Sequence, residues 1–185
     1  MILPKQKQRE QGFSLVEVLA AITILSIVSL VLISYFTHAL SYSKSNQNKT
    51  VMVNLARNAL FYVQKQNYDE LSAFFREGKG QLSWDQCTKA GACSYDGALF
   101  NTAGKAAPPE LYSVLNPTIN GIDYHVTISY QDKLYDQMAN SANVPKKEGA
   151  KYLLPVIVTV QPSSDVQGRQ SEVQVEGYIT DESIR

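Results

Sequence analysis

A chain of 185 residues holds one modest domain with an appendage, and is too short for two full domains. Its 17 basic and 17 acidic side chains cancel, which argues against a nucleic-acid binder held by net charge; 44% hydrophobic content excludes a charged, disordered polymer. These averages hide an asymmetry, because the longest apolar run lies within the first 40 residues and the remainder is polar with short apolar patches.

Residues 1–12 form a short polar leader carrying Lys5, Lys7 and Arg9. From Phe13 to Phe36 the chain is built mainly of Leu, Val, Ile, Ala and Ser, with Glu17 as its one charged residue. Val18 to Thr37 gives 20 uncharged residues, about 30 Å of helix and so the thickness of a bilayer's hydrocarbon core. Basic residues before this run place its N-terminus in the cytoplasm and the rest of the chain outside. His38 then falls at the outer interface. An ordinary secretory signal, cleaved near Thr37-His38-Ala39, is the weaker reading because the run exceeds a usual h-region. A plain single-pass anchor explains the apolar run but not Gly12 and Glu17 together.

Gly12-Phe13-Ser14-Leu15-Val16-Glu17, after a basic leader and before an unbroken apolar run, resembles the class III signal of the type IV pilin and pseudopilin family. The resemblance is strong over residues 9–40, reaches Gln66 in helix character, and is architectural beyond. It implies an α+β fold, with one long N-terminal helix packed on a C-terminal antiparallel sheet of three or four strands. It also implies cleavage between Gly12 and Phe13 by a prepilin peptidase, N-methylation of Phe13, and a pairing of Glu17 with the Phe13 amine of a neighbouring subunit. Such a pair compensates two buried charges and sets register. The implied partners are that peptidase, membrane lipid before assembly, other pilin subunits, and an inner-membrane assembly platform with its ATPase. Many pilins carry a helix-breaking proline where this chain has Ser34. That departure and the long irregular middle favour a minor subunit over a major one.

No glycine or proline occurs from Phe13 to Glu77, so one helix is expected from Phe13 to about Gln66. Its first half, 13–38, is apolar all round; its second half, 39–66, is amphipathic. There Val51, Leu55, Ala59 and Tyr62, flanked by Met52 and Val63, recur at spacings of three and four, opposite Asn54, Arg57, Asn58 and Lys65. Asn46-Gln47-Asn48 is the weakest stretch and the expected place of a local bend. Asn48-Lys49-Thr50 spells a glycosylation sequon but falls inside the helix.

The head spans 67–185. Asn67-Tyr68-Asp69-Glu70 opens a short capped helix. Residues 78–117, rich in Gly and Pro and holding Trp84, read as a variable loop. Within it Cys87 and Cys93 are too few for structural zinc; a disulfide closing a small loop suits an extracytoplasmic site, with two free thiols as the alternative. The sheet is expected over 121–180: Gly121 in a turn, strands at 124–130, 156–160 and 173–179, and Pro155 at a strand start. Residues 131–151 read as a polar connection, and Pro162 to Gly168 as a hairpin loop.

No Gly-x-Gly-x-x-Gly, Walker loop, Gly-x-Ser-x-Gly or His-Glu-x-x-His occurs. No enzyme, cofactor or metal site is expected. His125 reads as structural or surface, and the acid pairs Asp69-Glu70 and Asp181-Glu182 as a helix start and a solvated tail. Lys146, Lys147 and Lys151, with scattered Lys79, Lys89 and Lys105, offer at most salt-sensitive phosphate contacts, so nucleic acid is an unsupported partner. The function implied is a structural subunit of a type IV pilus, or of a related type II secretion or competence pseudopilus, anchored once in the inner membrane and then carried in an external filament. The competing reading is a non-polymerising, membrane-anchored adhesin or DNA receptor. A secreted enzyme is a weaker third.

Overall fold

The computed structural model describes residues 12–77, 80–88, 93, 109–163 and 172–181. The leader before Gly12, Gly78 and Lys79, most of 89–108 with Lys89 and Lys105, the loop 164–171, and Glu182 lie outside the described residues. The chain divides into two units, residues 1–46 and residues 47–185.

A single helix, α1 (Leu15–Gln64), runs across that division. The helical hydrogen bonding continues through Asn46-Gln47-Asn48, where no glycine or proline removes a backbone donor. In the first unit the helix is exposed on every side.

In the second unit α1 lies on an antiparallel sheet. Its fully buried residues are Met52, Ala56, Ala59 and Val63, one step around the helix from the expected line, while Val51, Leu55, Leu60 and Tyr62 pack at the flanks. The two alanines explain the shift: small side chains at the centre of the stripe let the helix backbone come close to the sheet. On the sheet side the same device appears at Gly177, where an added β-carbon would run into the methyl groups of Leu60.

After α1 come α2 (Tyr68–Ser72), a π-helical turn (Ala73–Glu77), β1 (Gln81–Ser83), a 3-10 turn (Trp84–Gln86) and α3 (Pro109–Leu115). Then follow β2 (Thr118–Ile119), β3 (Ile122–Tyr130), α4 (Asp132–Ala139), α5 (Val144–Ala150), β4 (Leu153–Pro162) and β5 (Val173–Thr180). The five-stranded sheet has the order β1-β3-β4-β5, with β2 also pairing β3, and every pairing is antiparallel. One face, with Tyr124, Val126, Ile128, Leu154, Val156, Val158, Val160 and Ile179, joins Leu82, Leu71, Phe75, Leu111 and Leu115 and the α1 stripe in one core. The other face carries Thr127, Ser129, Thr159, Gln174 and Glu176.

Four expectations for the head need correction. The stretch 78–117 is not all loop, since it holds β1, a 3-10 turn and α3. The count of strands is five among the described residues, because β1 and β2 are too short to show an alternating pattern. The connection 131–151 contains α4 and α5, the latter capped by Asn143, whose side chain accepts from the Lys146 amide. Pro155 lies inside β4 rather than at its start. It is tolerated because the Gln131 carbonyl, which a residue 155 N–H would meet, accepts from the Tyr135 amide at the start of α4 instead.

Candidate assembly segment

The segment around Gly12, Phe13 and Glu17 is organised by the start of α1. Ser14 is the N-cap: its carbonyl accepts from the amides of Glu17 and Val18, and its Oγ accepts from the Glu17 amide at 3.3 Å. Ser14-Leu15-Val16-Glu17 therefore has the spacing of a capping box, and the acidic group stands in the first turn, where the helix dipole favours negative charge. Glu17 thus has a local role in the helix start as well as being the one carboxylate between Phe13 and Phe36.

Beyond it every large hydrophobic side chain from Leu15 to Leu40 is exposed. Phe13 is 82% exposed. Three hydroxyls among them bond back to the helix itself. Thr23 donates to the Ala20 carbonyl, Ser26 to Ile22 and Thr37 to Ser34, each at 2.8 Å. A hydroxyl satisfied by its own helix asks nothing of water, which is what an apolar surrounding requires. The helix is long and apolar enough to cross a membrane.

The head carries its own chemistry. Cys87 and Cys93 form a disulfide and pair as an isolated bridge, with Cα atoms 4.0 Å apart. Just before it, the Trp84 ring stacks on His125, centroids 3.7 Å apart and planes 17° from parallel. Burial holds the His125 imidazole below its ordinary pKa, partly opposed by the Asp123 carboxylate. At the other end of the sheet Arg76 lies over the Tyr135 ring at 4.4 Å. Burial raises the Tyr130 hydroxyl's pKa, with Arg76 pulling it down. Neither ring cluster was visible in the sequence, because each joins residues more than 40 positions apart. Lys146 and Lys147 sit exposed on α5, and Lys151 pairs with Glu148 at 3.6 Å. Among the described residues no group of three His, Cys, Asp or Glu could hold a metal.

A long apolar helix followed by a helix-on-sheet head is the α+β, pilin-like fold. Residues 7–33 match the family model of the prokaryotic N-terminal methylation motif, which supports a type IV pilin-like prepilin. No curated protein and no solved structure matches the chain. The motif suggests a structural protein, its class III signal implies prepilin peptidase processing, and together with the apolar helix it fits a membrane-anchored chain with an external head.

Proposed function

We propose that the chain is a subunit, of the minor type, of a type IV pilus or related pseudopilus. It is cut between Gly12 and Phe13, methylated at Phe13, held by one crossing of the inner membrane, and polymerised through residues 13–36. The observation that carries this reading is the pairing of a methylation motif at residues 7–33 with a helix whose large apolar side chains from Leu15 to Leu40 all face outward. In bilayer lipid that surface is solvated; in a filament neighbouring helices cover it. Glu17 sits about 6 Å along the helix from Phe13, by the standard rise, and in the membrane reaches the cytoplasmic interface. Once surrounded by other helices it needs a cation, and the Phe13 amine freed by cleavage supplies one. An assembly platform and ATPase act in trans.

The test is the intact mass and N-terminal sequence of the protein from its native membrane, with and without the peptidase. A peptidase-dependent start at N-methylated Phe13 is expected. A start at Met1 in both strains would leave a plain anchor, and one near Leu40 a secreted domain. Glu17→Val should leave leader cleavage intact and exclude the variant from filaments. Normal incorporation would remove the register role.

A further inference from the structure

Strand β5 pairs with β4 from Val173 to Thr180, and among the described residues no strand pairs with its other side. Which of its backbone groups face outward follows from the ladder. Pro155 accepts from the Gln131 amide and so faces away from β5; its opposite residue, Tyr178, therefore faces away from β4. By the period of two, Gln174, Glu176 and Thr180 face the same way. The Tyr178 carbonyl confirms the direction, since it accepts from Gln64 Nε2 of α1 at 2.9 Å.

The edge has a wall as well as a rim. Leu60 of α1 sits over Gly177 and Gln64 reaches Tyr178, so the next row of the helix stands beside the open edge. Arg57, Phe61 and Gln64, spaced four and three, share that row. Phe61 is 56% exposed, and Lys65 Nζ lies 4.3 Å above its ring. From Gln47 to Gln66 the helix carries Lys49, Arg57 and Lys65 and no acid, so the wall is cationic. Among the described residues nothing blunts the edge: β5 is long for an edge strand, it contains no proline or lysine, and its one charge, Glu176, points to the opposite face of the sheet from α1.

We propose that this edge binds an extended, acidic segment of another protein subunit, added antiparallel to β5 like every other pairing in the sheet. Main-chain bonds run to Gln174, Glu176 and Thr180. Acidic side chains of the incoming strand lie on the α1 side against Arg57 and Lys65, and its alternate residues lie beside Gln174, Glu176 and Tyr178. The site is independent of how the leader is processed.

The probe is a capped eight-residue peptide of alternating valine and glutamate, added to the ¹⁵N-labelled full chain in detergent micelles. Slowed hydrogen exchange at the Gln174, Glu176 and Thr180 amides is expected. In an antiparallel partner with its glutamates toward α1, the valine amides point at β5. N-methylation of the valines should therefore abolish the effect, and N-methylation of the glutamates should leave it. Arg57→Glu should weaken binding by about five-fold, the scale of one exposed ion pair. Glu176→Pro should prevent it without costing a bond to β4. The proposal is overturned if the exchange does not slow, if valine-methylated peptide works equally well, or if a valine-lysine peptide binds as tightly. The peptide-side methylation decides the matter even if the proline variant fails to fold.

Discussion

The two halves of α1 are equally helical and yet opposite in what they do with apolar surface. From Gln47 onward the helix hides Met52, Ala56, Ala59 and Val63 completely against its own sheet. From Leu15 to Leu40 it hides nothing, although that half is by far the more hydrophobic. Helix-forming residues and the absence of breakers therefore fix the shape of the element, but not the partner of its faces. One half has its partner in the same chain. The other has hydroxyls folded back on its own carbonyls and leaves its large apolar side chains exposed, the surface that the proposed membrane crossing and filament would cover.

The sharpest way to break this comparison is a matched pair of truncations. Met52→Ala removes a wholly buried side chain and should lower head stability by about 2–5 kcal/mol. Leu25→Ala removes an exposed side chain of similar size and should leave the head's unfolding transition where it was. Thermal unfolding of both variants in detergent, followed by near-ultraviolet circular dichroism, gives the answer. Equal losses would mean that the first half of α1 is packed within the chain after all.

The next effect sharpens the second half. Gly177→Val places a branched side chain where the Leu60 methyls stand, and overpacking of this kind costs about 1–3 kcal/mol. Adding Leu60→Ala should recover part of the loss. A double-mutant cycle in which the two changes simply add would show that α1 and β5 do not meet there.

How much of this was readable beforehand follows the same division. The apolar half declares itself by composition, and the three long strands by alternation, because both patterns repeat over many residues. Short elements gave less. Strand β2 was legible in principle: Asn120-Gly121, with φ of 53° and 75°, is the two-residue turn that closes a hairpin from Ile119 to Ile122. The expectation used the glycine and missed the strand before it. Helix α5 has 7 residues, is mostly exposed and shows too few apolar positions to set a period. Helix α4 did carry a signal, Leu134, Tyr135 and Met138 at spacings of three and four, which the reading of 131–151 as a polar connection passed over. For the segment at Gly12, Phe13 and Glu17 the signal lay in residue types at fixed spacing. The Trp84–His125 stack and the open β5 edge depend on tertiary placement, which no local pattern encodes.

A smaller loss should follow from opening the Cys87–Cys93 bridge. It closes a short loop, and removing it by Cys87→Ser with Cys93→Ser should cost about 2 kcal/mol on the chain-entropy account. Because Trp84 is the chain's one tryptophan, its fluorescence reports on the adjoining 3-10 turn. If the double variant unfolds at the wild-type temperature, the bridge contributes nothing to the head.

The smallest expected effect is a pH dependence from the same corner. His125 stacks face to face on Trp84, its Nδ1 is buried without a hydrogen-bond partner, and burial lowers its pKa from 6.5. Protonation would bury an unpaired N–H, and Asp123 offsets this only in part. Of the neighbouring elements, β1 and β4 bring no ionisable residue and the 3-10 turn brings Asp85. The unfolded chain therefore takes up the proton more readily than the folded one. Stability from this group is complete above the unfolded pKa and is lost as pH falls from there through the lower folded value. His125→Phe keeps a flat ring under Trp84 and removes the proton. The decline in melting temperature just below pH 6.5 should be shallower in that variant than in the wild type. An unchanged slope would assign the acid sensitivity to other groups and leave the stack as packing alone.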